Sequence, residues 1–203
     1  MRFGKRKHRD GSRDAVKRHL ENHLGAVTSL STIEVAGKAT IDLHEHRDAP
    51  GTGQTTLVTN GLASFAREHA FAGEEGLAQE LVMVLRTEYV TEAMLDFFAR
   101  VADLYTSQHG LLDWGVPLKL GSPVPGSDDL SFLYPTPAAV FEESFQFVEQ
   151  PNALTVFCLL VPLRDEEVDA VVRLGIEGFD EEMGRLDPDI GDLRRPGIPF
   201  RTG

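Results

Sequence analysis

Apolar residues recur along this chain at intervals of three to four residues in some stretches and of two residues in others. Intervals of three to four are typical of one helix face, and they predict an opening helix that ends at Gly25 and a long helix over about Thr91–His109. The long helix has a wide apolar stripe, so we expect it to pack on the core. A helix that begins near Asp165 and stops before Gly175 is predicted to turn three valines inward: Val168, Val171 and Val172. One more helical segment is indicated by Phe179, Met183 and Leu186.

Strict alternation and short apolar runs predict strands, because successive side chains of a strand point to opposite faces. Five such runs are expected to share one sheet: Ala39–His46, Thr55–Thr59, Glu80–Arg86, Leu130–Tyr134 and Ala153–Val161. Turn residues between the first two predict a hairpin. The last run lies in the most apolar stretch of the chain and is expected at the centre of the sheet, buried on both faces. Residues 62–79 show no firm period and are predicted to form a surface loop.

Helical and strand segments follow one another in a mixed order. This order predicts an α/β (α+β) domain with a mixed, largely antiparallel sheet and helices packed against it. Residues 1–14 are basic and precede the first apolar position of the opening helix, so they are predicted to be a disordered arm. Residues 15–203 are then expected to form a single domain, and the segment after Asp187 is expected to be irregular.

The chain is acidic, with a formal net charge of −12 at pH 7. Eight of its 20 lysines and arginines lie within residues 1–18, so the remainder is more acidic still. An acidic body disfavours nucleic acid and favours basic protein partners, although acidity also serves solubility alone. No stretch has the roughly 20 apolar residues of a membrane span. The single cysteine, Cys158, suits a reducing cytoplasm, where we expect the protein to act.

No motif of a common catalytic class occurs: the chain lacks GxGxxG, GxxxxGKS/T, GxSxG, HExxH and CxxC. The best candidate metal ligands are Asp42, His44 and His46, which a strand would place on one face. They define an alternative function, a metal-dependent hydrolase, but solvent-facing polar residues of a half-buried strand explain the same pattern. Cys158 lies in the most apolar run, where a thiol is expected to be buried and inert. We assign no catalytic residue, no metal and no cofactor.

A series of short segments occurs in a particular order and spacing. The segments are Thr56–Ala63 (TLVTNGLA), Ala78–Leu85 (AQELVMVL), Trp114 and Gly115 with Leu120, Leu130–Pro135, Val161–Leu163 (VPL) before an acidic helix, and Asp192 with Arg195 and Pro196. Together they resemble the suppressor-of-fused-like domain family over about residues 15–200. The resemblance implies a mixed α/β fold, in agreement with the pattern of helices and strands.

This resemblance also implies a type of function. Animal members of the family look like non-enzymatic regulators that sequester a transcription factor, whose short peptide they hold as an added β-strand between two domains. Bacterial relatives are similar to predicted immunity proteins encoded near toxins. At 203 residues the chain is too short for the second domain, so we expect it to correspond to the bacterial, single-domain form.

The leading hypothesis is a non-enzymatic protein-binding domain, a bacterial immunity or regulatory protein that binds and neutralises a partner such as a basic toxin. Four residues in loop-like sequence are candidate partner contacts: Asn60, Gly61, Phe65 and Trp114. In the alternative interpretation Phe65 and Trp114 simply cover the sheet, and this is favoured for Trp114. No oligomeric state is predicted.

Overall fold

Four helices and eight strands occur in the part of the chain that the computed structural model describes, residues 9–35, 39–68, 76–107, 111–150 and 153–201. The helices are α1 (Arg9–Leu24), α2 (Leu62–Glu68), α3 (Glu92–Ser107) and α4 (Asp165–Leu186). The strands are β1 (Ser29–Val35), β2 (Ala39–Arg47), β3 (Gln54–Asn60), β4 (Leu77–Arg86), β5 (Leu118–Lys119), β6 (Phe132–Pro137), β7 (Phe147–Gln150) and β8 (Ala153–Leu163). None of these helices is both long and apolar enough to span a membrane.

The strands form one sheet in the order β1-β2-β3-β4-β8-β6-β5, and β7 pairs with the first part of β8. Neighbouring strands are antiparallel except β4 and β8, which run parallel. The predicted hairpin is present as β2 and β3, with His44 opposite Val58. All five predicted sheet strands are found, although β6 starts at Phe132 and continues to Pro137. The predicted mixed, largely antiparallel fold is therefore confirmed.

Helices cover both faces of the sheet and give the protein three layers. One face packs on α3, whose apolar stripe is buried at Met94, Phe98 and Val101. The opposite face packs on α1 and α4, with Leu20 and Phe179 fully buried. Because the central strands β4 and β8 need apolar side chains on both faces, their sequences are apolar without alternation.

Helix α1 extends further towards the N-terminus than the sequence pattern indicates. It begins at Arg9, so residues 9–14 of the predicted arm are helical, while residues 1–8 lie outside the described residues. The apolar face of α1 is the predicted one, with Val16, Leu20 and Leu24 buried. The first turns of α1 contain polar residues, so the spacing of apolar residues does not show where this helix begins.

The prediction of a surface loop over residues 62–79 is wrong where the structure describes this segment. Helix α2 occupies Leu62–Glu68 with four buried residues, Leu62, Ala63, Phe65 and Ala66, and β4 already begins at Leu77. The backbone N–H groups of Gly61, Leu62 and Ala63 donate to the buried Glu80 carboxylate at 2.9–3.2 Å. A helix of two turns, buried on most sides and capped by a residue of another element, shows no helical period.

The inward orientation predicted for Val172 is also wrong, since 81% of this side chain is exposed while Val171 is buried. Helix α4 is kinked at Gly175, whose φ of 71° is non-helical. The irregular segment after α4 is found as predicted, and it returns to the core. Its Arg195 is buried against Glu167 of α4 and also donates to the carbonyl of Pro162 at 3.0 Å.

Candidate functional site

Three of the four predicted partner contacts lie inside the protein. Asn60 is 2% exposed and Phe65 is 4% exposed. Gly61 has a φ of 120°, and an added Cβ there would lie 2.7 Å from Cζ of Arg13, so the α1 side chain covers this position closely. Sequence reasoning took this segment for a loop, whereas the docking of α1 and the folding of α2 bury it. In this conformation Asn60, Gly61 and Phe65 offer no apolar surface to a partner.

Trp114 has the opposite placement, because 45% of it is exposed. It lies in the loop before β5, and one side of its indole contacts the buried Cys158 thiol. The next residue, Gly115, has a φ of 79° and donates its N–H to the carbonyl of Pro135 at 2.8 Å. This bond holds the loop along the edge of β6. The interpretation that Trp114 only covers the sheet therefore accounts for just part of its surface.

The loop and α4 meet beside Trp114. Ile176 packs on Gly115 so closely that a Cβ on this glycine would lie 2.6 Å from Ile176 Cδ1. Ile176 is 45% exposed and Val116 is 50% exposed. Trp114 and Val116 flank Gly115 in the chain, so three exposed apolar residues surround this contact: Trp114, Val116 and Ile176, which we call the Trp114 patch. Exposed apolar residues are usually scattered, so a group joined across two elements indicates a contact surface.

The helix that contributes Ile176 is strongly acidic. Along its length α4 carries eight carboxylates and two guanidinium groups. Glu167 is bound internally by Arg195, and Glu182 is paired with Arg185 at 2.7 Å. Most of the others are exposed, and Asp113 is exposed next to Trp114. The Trp114 patch is therefore flanked by negative charge, which suits a partner surface with basic residues around an apolar centre.

The candidate metal ligands share one face of β2, as predicted, but the two histidines on that face are buried instead of exposed to solvent. Helix α1 packs on the same face of the sheet, and His44 and His46 are 2% and 0% exposed. Their ring centroids are 6.0 Å apart, and Nδ1 of His46 lies 3.0 Å from the carbonyl oxygen of Gly25. Among the described residues, no group of three His, Cys, Asp or Glu side chains is arranged to hold a metal ion.

Burial also sets the protonation of this histidine pair. The pKa of His44 is lowered to about 4, first by burial and then by the neighbouring His46, and only in part restored by Asp42. Burial likewise lowers the pKa of His46, against the opposing effect of its bond to Gly25. Both imidazoles are therefore neutral at pH 7. The half-buried strand predicted over Ala39–His46 is buried on both faces at this end, because α1 covers it.

Cys158 lies fully buried in β8, as predicted. Burial raises the pKa of its thiol to about 12, so a thiolate is not available at neutral pH. Cys158 thus lacks the thiolate character that a catalytic nucleophile requires, which supports its interpretation as a packing residue.

Comparison with known proteins identifies the family. Residues 37–196 match the family model "Suppressor of fused protein (SUFU)". The chain belongs to this family. The match covers more than half of the chain and includes the segments on which the sequence resemblance was based. Among curated proteins no sequence matches significantly.

Solved structures of SUFU proteins share the fold. A putative SUFU homologue from Neisseria gonorrhoeae superposes with a TM-score of 0.68 at 12% identity, covering 94% of this chain and 98% of that one. The Sufu–Fu complex gives a TM-score of 0.63 at 13% identity, covering 95% of this chain and 91% of that one. Drosophila Suppressor of Fused gives 0.61 at 15% identity, and this chain spans half of it while 94% of this chain is covered.

Proposed function

We propose that this SUFU-family domain acts by binding another protein through the Trp114 patch, and not by catalysis. The observation that carries the proposal is the exposure of Trp114 and Val116 in a loop on which the exposed Ile176 of the acidic helix α4 packs, at Gly115. The Sufu–Fu complex supports it, because that SUFU structure is of a complex. In its finer form the proposal is a bacterial immunity or regulatory protein that neutralises a basic toxin in the cytoplasm.

In the proposed interface the exposed apolar residues and the acidic residues have different roles, in agreement with the energetics of protein interfaces. Tryptophan is enriched among the few residues that dominate binding energy, and such residues lie at the centre of the contact. Exposed charges contribute little each, but a field of one sign accelerates association with an oppositely charged partner. Trp114 would thus anchor the partner, while the carboxylates of α4 steer it.

The alternative of a metal-dependent hydrolase at Asp42, His44 and His46 receives no support from the geometry. The Nδ1 atom of His46 is engaged by the Gly25 carbonyl oxygen, and His46 is fully buried, so the three residues do not share an open position. A catalytic metal site needs three protein ligands and an open position for water or substrate.

The proposal is tested with the product of the neighbouring gene as candidate partner, if that product is a basic protein. Its dissociation constant is measured by biolayer interferometry for wild type, Trp114→Ala and Val116→Asp. We expect each variant to weaken binding by about tenfold or more, as for interface anchors. The matched control is Phe147→Asp, because Phe147 is similarly exposed, at 41%, but lies on β7, outside the Trp114 patch.

Circular dichroism and thermal melting first establish that each variant is folded. Wild-type affinity in both folded Trp114-patch variants would contradict the assignment of this surface. A loss of equal size in Phe147→Asp would show that the effect is not specific to the patch.

A further inference from the structure

A groove of about 640 Å³ lies between α1 and the first strands of the sheet, away from the Trp114 patch. Helix α1 forms one wall with Arg13, Asp14 and Lys17. The floor is formed by side chains of β2 and β3, chiefly Asp42, His44 and Asn60, and Leu30 of the edge strand lies at its rim. A volume of this size is typical of sites for small ligands or for one side chain of a partner.

Two buried polar atoms in this groove have no hydrogen-bond partner among the described residues: Oδ1 of Asn60 and Nδ1 of His44. Both side chains are 2% exposed. The Nδ2 atom of Asn60 donates to the carbonyl oxygen of Arg13 at 3.3 Å, which fixes the orientation of the amide group. The unpaired atom is therefore the oxygen Oδ1, which accepts hydrogen bonds. Leaving such atoms unpaired costs stability, so their presence at a groove floor indicates a place for a donor.

The third floor residue adds negative charge at the same place. Asp42 is the cross-strand partner of Asn60 and is only half-buried, so the two side chains lie side by side on one face of the sheet. Together the carboxylate, the amide oxygen and the neutral imidazole of His44, in the tautomer that carries its proton on Nε2, offer acceptors for several N–H donors. Such a set matches an ammonium or guanidinium group, each of which donates in several directions.

The two cationic side chains of the α1 wall do not donate to the unpaired atoms of the groove floor. Arg13 donates from Nη2 to the carbonyl oxygen of Thr40 at 2.6 Å and lies over Gly61. Lys17 is paired with Glu21, with Nζ 3.8 Å from Oε1. At the rim, Leu30 is the cross-strand partner of His44 and is 59% exposed. It offers an apolar contact of the kind made by the methylene stem of a lysine or arginine.

We propose that the groove between α1 and β1–β3 is a binding site for a ligand with a guanidinium or ammonium head on a short apolar stem. The head donates to Asp42, to Oδ1 of Asn60 and to Nδ1 of His44, and the stem lies on Leu30. The ligand is either a free small cation or a basic side chain of a protein segment. This site goes beyond the proposed protein-binding function and does not depend on the Trp114 patch.

The test uses the full chain and two probes, agmatine and the peptide amide Gly-Arg-Gly, titrated at low salt by calorimetry and by ¹H–¹⁵N NMR. We expect saturable one-site binding that shifts the Asn60 side-chain amide and the backbone signals of Thr28. Asp42→Asn keeps the side-chain shape, removes the charge and is expected to weaken binding by about tenfold. Glu149→Gln removes one charge from the exposed strand β7 and is expected to bind as wild type.

The two probes distinguish the sources of the cation. A peptide that binds at least about tenfold more tightly than agmatine assigns the site to a protein segment, and the reverse order assigns it to a free cation. Failure of both probes to saturate, equal affinity in Asp42→Asn, or binding of inorganic phosphate in their place would overturn the proposal. A loss of partner binding in Trp114→Ala with agmatine binding retained would separate this site from the proposed function.

Discussion

Two buried glutamates show how strongly one neighbour changes the chemistry of a residue. Burial raises the pKa of Glu80, and the neutral donors Thr59, Gly61, Leu62 and Ala63 offset this only in part. Burial acts in the same direction on Glu167, but the hydrogen bonds and positive charge of Arg195 bring its pKa below the usual value. Glu80 therefore serves as a cap for α2, and Glu167 joins the C-terminal segment to α4 as part of an ion pair.

Cys158 provides a prediction at the scale of the single residue. Cys158→Ala is expected to reduce the free energy of unfolding by about 1 kcal/mol, at the small end for core truncations, because it removes one buried sulfur atom. Urea unfolding at pH 7.5 measures this change. Wild-type protein should also react slowly with a thiol reagent under native conditions, since the thiol is buried and its pKa is raised to about 12. Rapid modification would contradict the packing role.

Among the helices, α1 determines the burial and the protonation of several polar side chains. Its side chains cover β2 and β3, bury Asn60 and His44, and leave the groove along the edge of β1. His19 of α1 stacks on Phe157 with ring centroids 5.3 Å apart, and burial lowers its pKa too. Several histidines in this interface are thus held neutral, so docking of α1 is linked to pH.

The linkage predicts acid sensitivity. A histidine whose pKa is lower in the folded state stabilises the fold above its unfolded pKa, and this contribution is lost as the pH falls. For His44 the window runs from 6.5 down to about 4, and the loss is on the order of 2–3 kcal/mol. The titratable groups that act on the pKa of His44 are His46, Asp42, Lys17 and Glu21.

The measurement is urea unfolding of wild type and His44→Gln at several pH values between 7.5 and 4.5. We expect the variant to lose less stability than wild type across this range. Thr52→Ala, which changes an exposed residue without a titratable side chain, serves as control and should keep the wild-type pH dependence. An identical slope in wild type and His44→Gln would show that His44 is not the linked group.

For the molecule as a whole, the net charge of −12 predicts how a basic partner is recognised. The association rate should fall steeply with salt, while the dissociation rate changes little, because screening acts over about 8 Å at physiological ionic strength. Surface plasmon resonance over a salt series tests this. Trp114→Ala should raise the dissociation rate and leave the salt dependence of association unchanged. An association rate independent of salt would exclude steering by the acidic body.

The sequence by itself determined the features that depend on local pattern. The apolar run of β8 and the stripe of α3 each indicate how one segment is buried, and both were predicted correctly. The alternation in β2 predicted the strand and its core-facing residues, but not the burial of His44 and His46 on its other face. The order of the helices and strands was sufficient for the fold class, and the short segments were sufficient for the family. Burial of Cys158 followed from the same reasoning, because a residue within a central strand has no exposed face.

Only the tertiary structure decided which polar or loop-like residues are covered. Helix α2 depends on Glu80, eighteen residues beyond Leu62 and on another element. Asn60 and His44 are buried because α1 lies over them, whereas Trp114 remains exposed because its loop runs along the sheet edge at Pro135. The spacing of apolar residues shows which side of a segment is buried, but it does not show which distant element packs against that side. The packing of distant elements determines the positions of both candidate sites, the Trp114 patch and the groove beside α1.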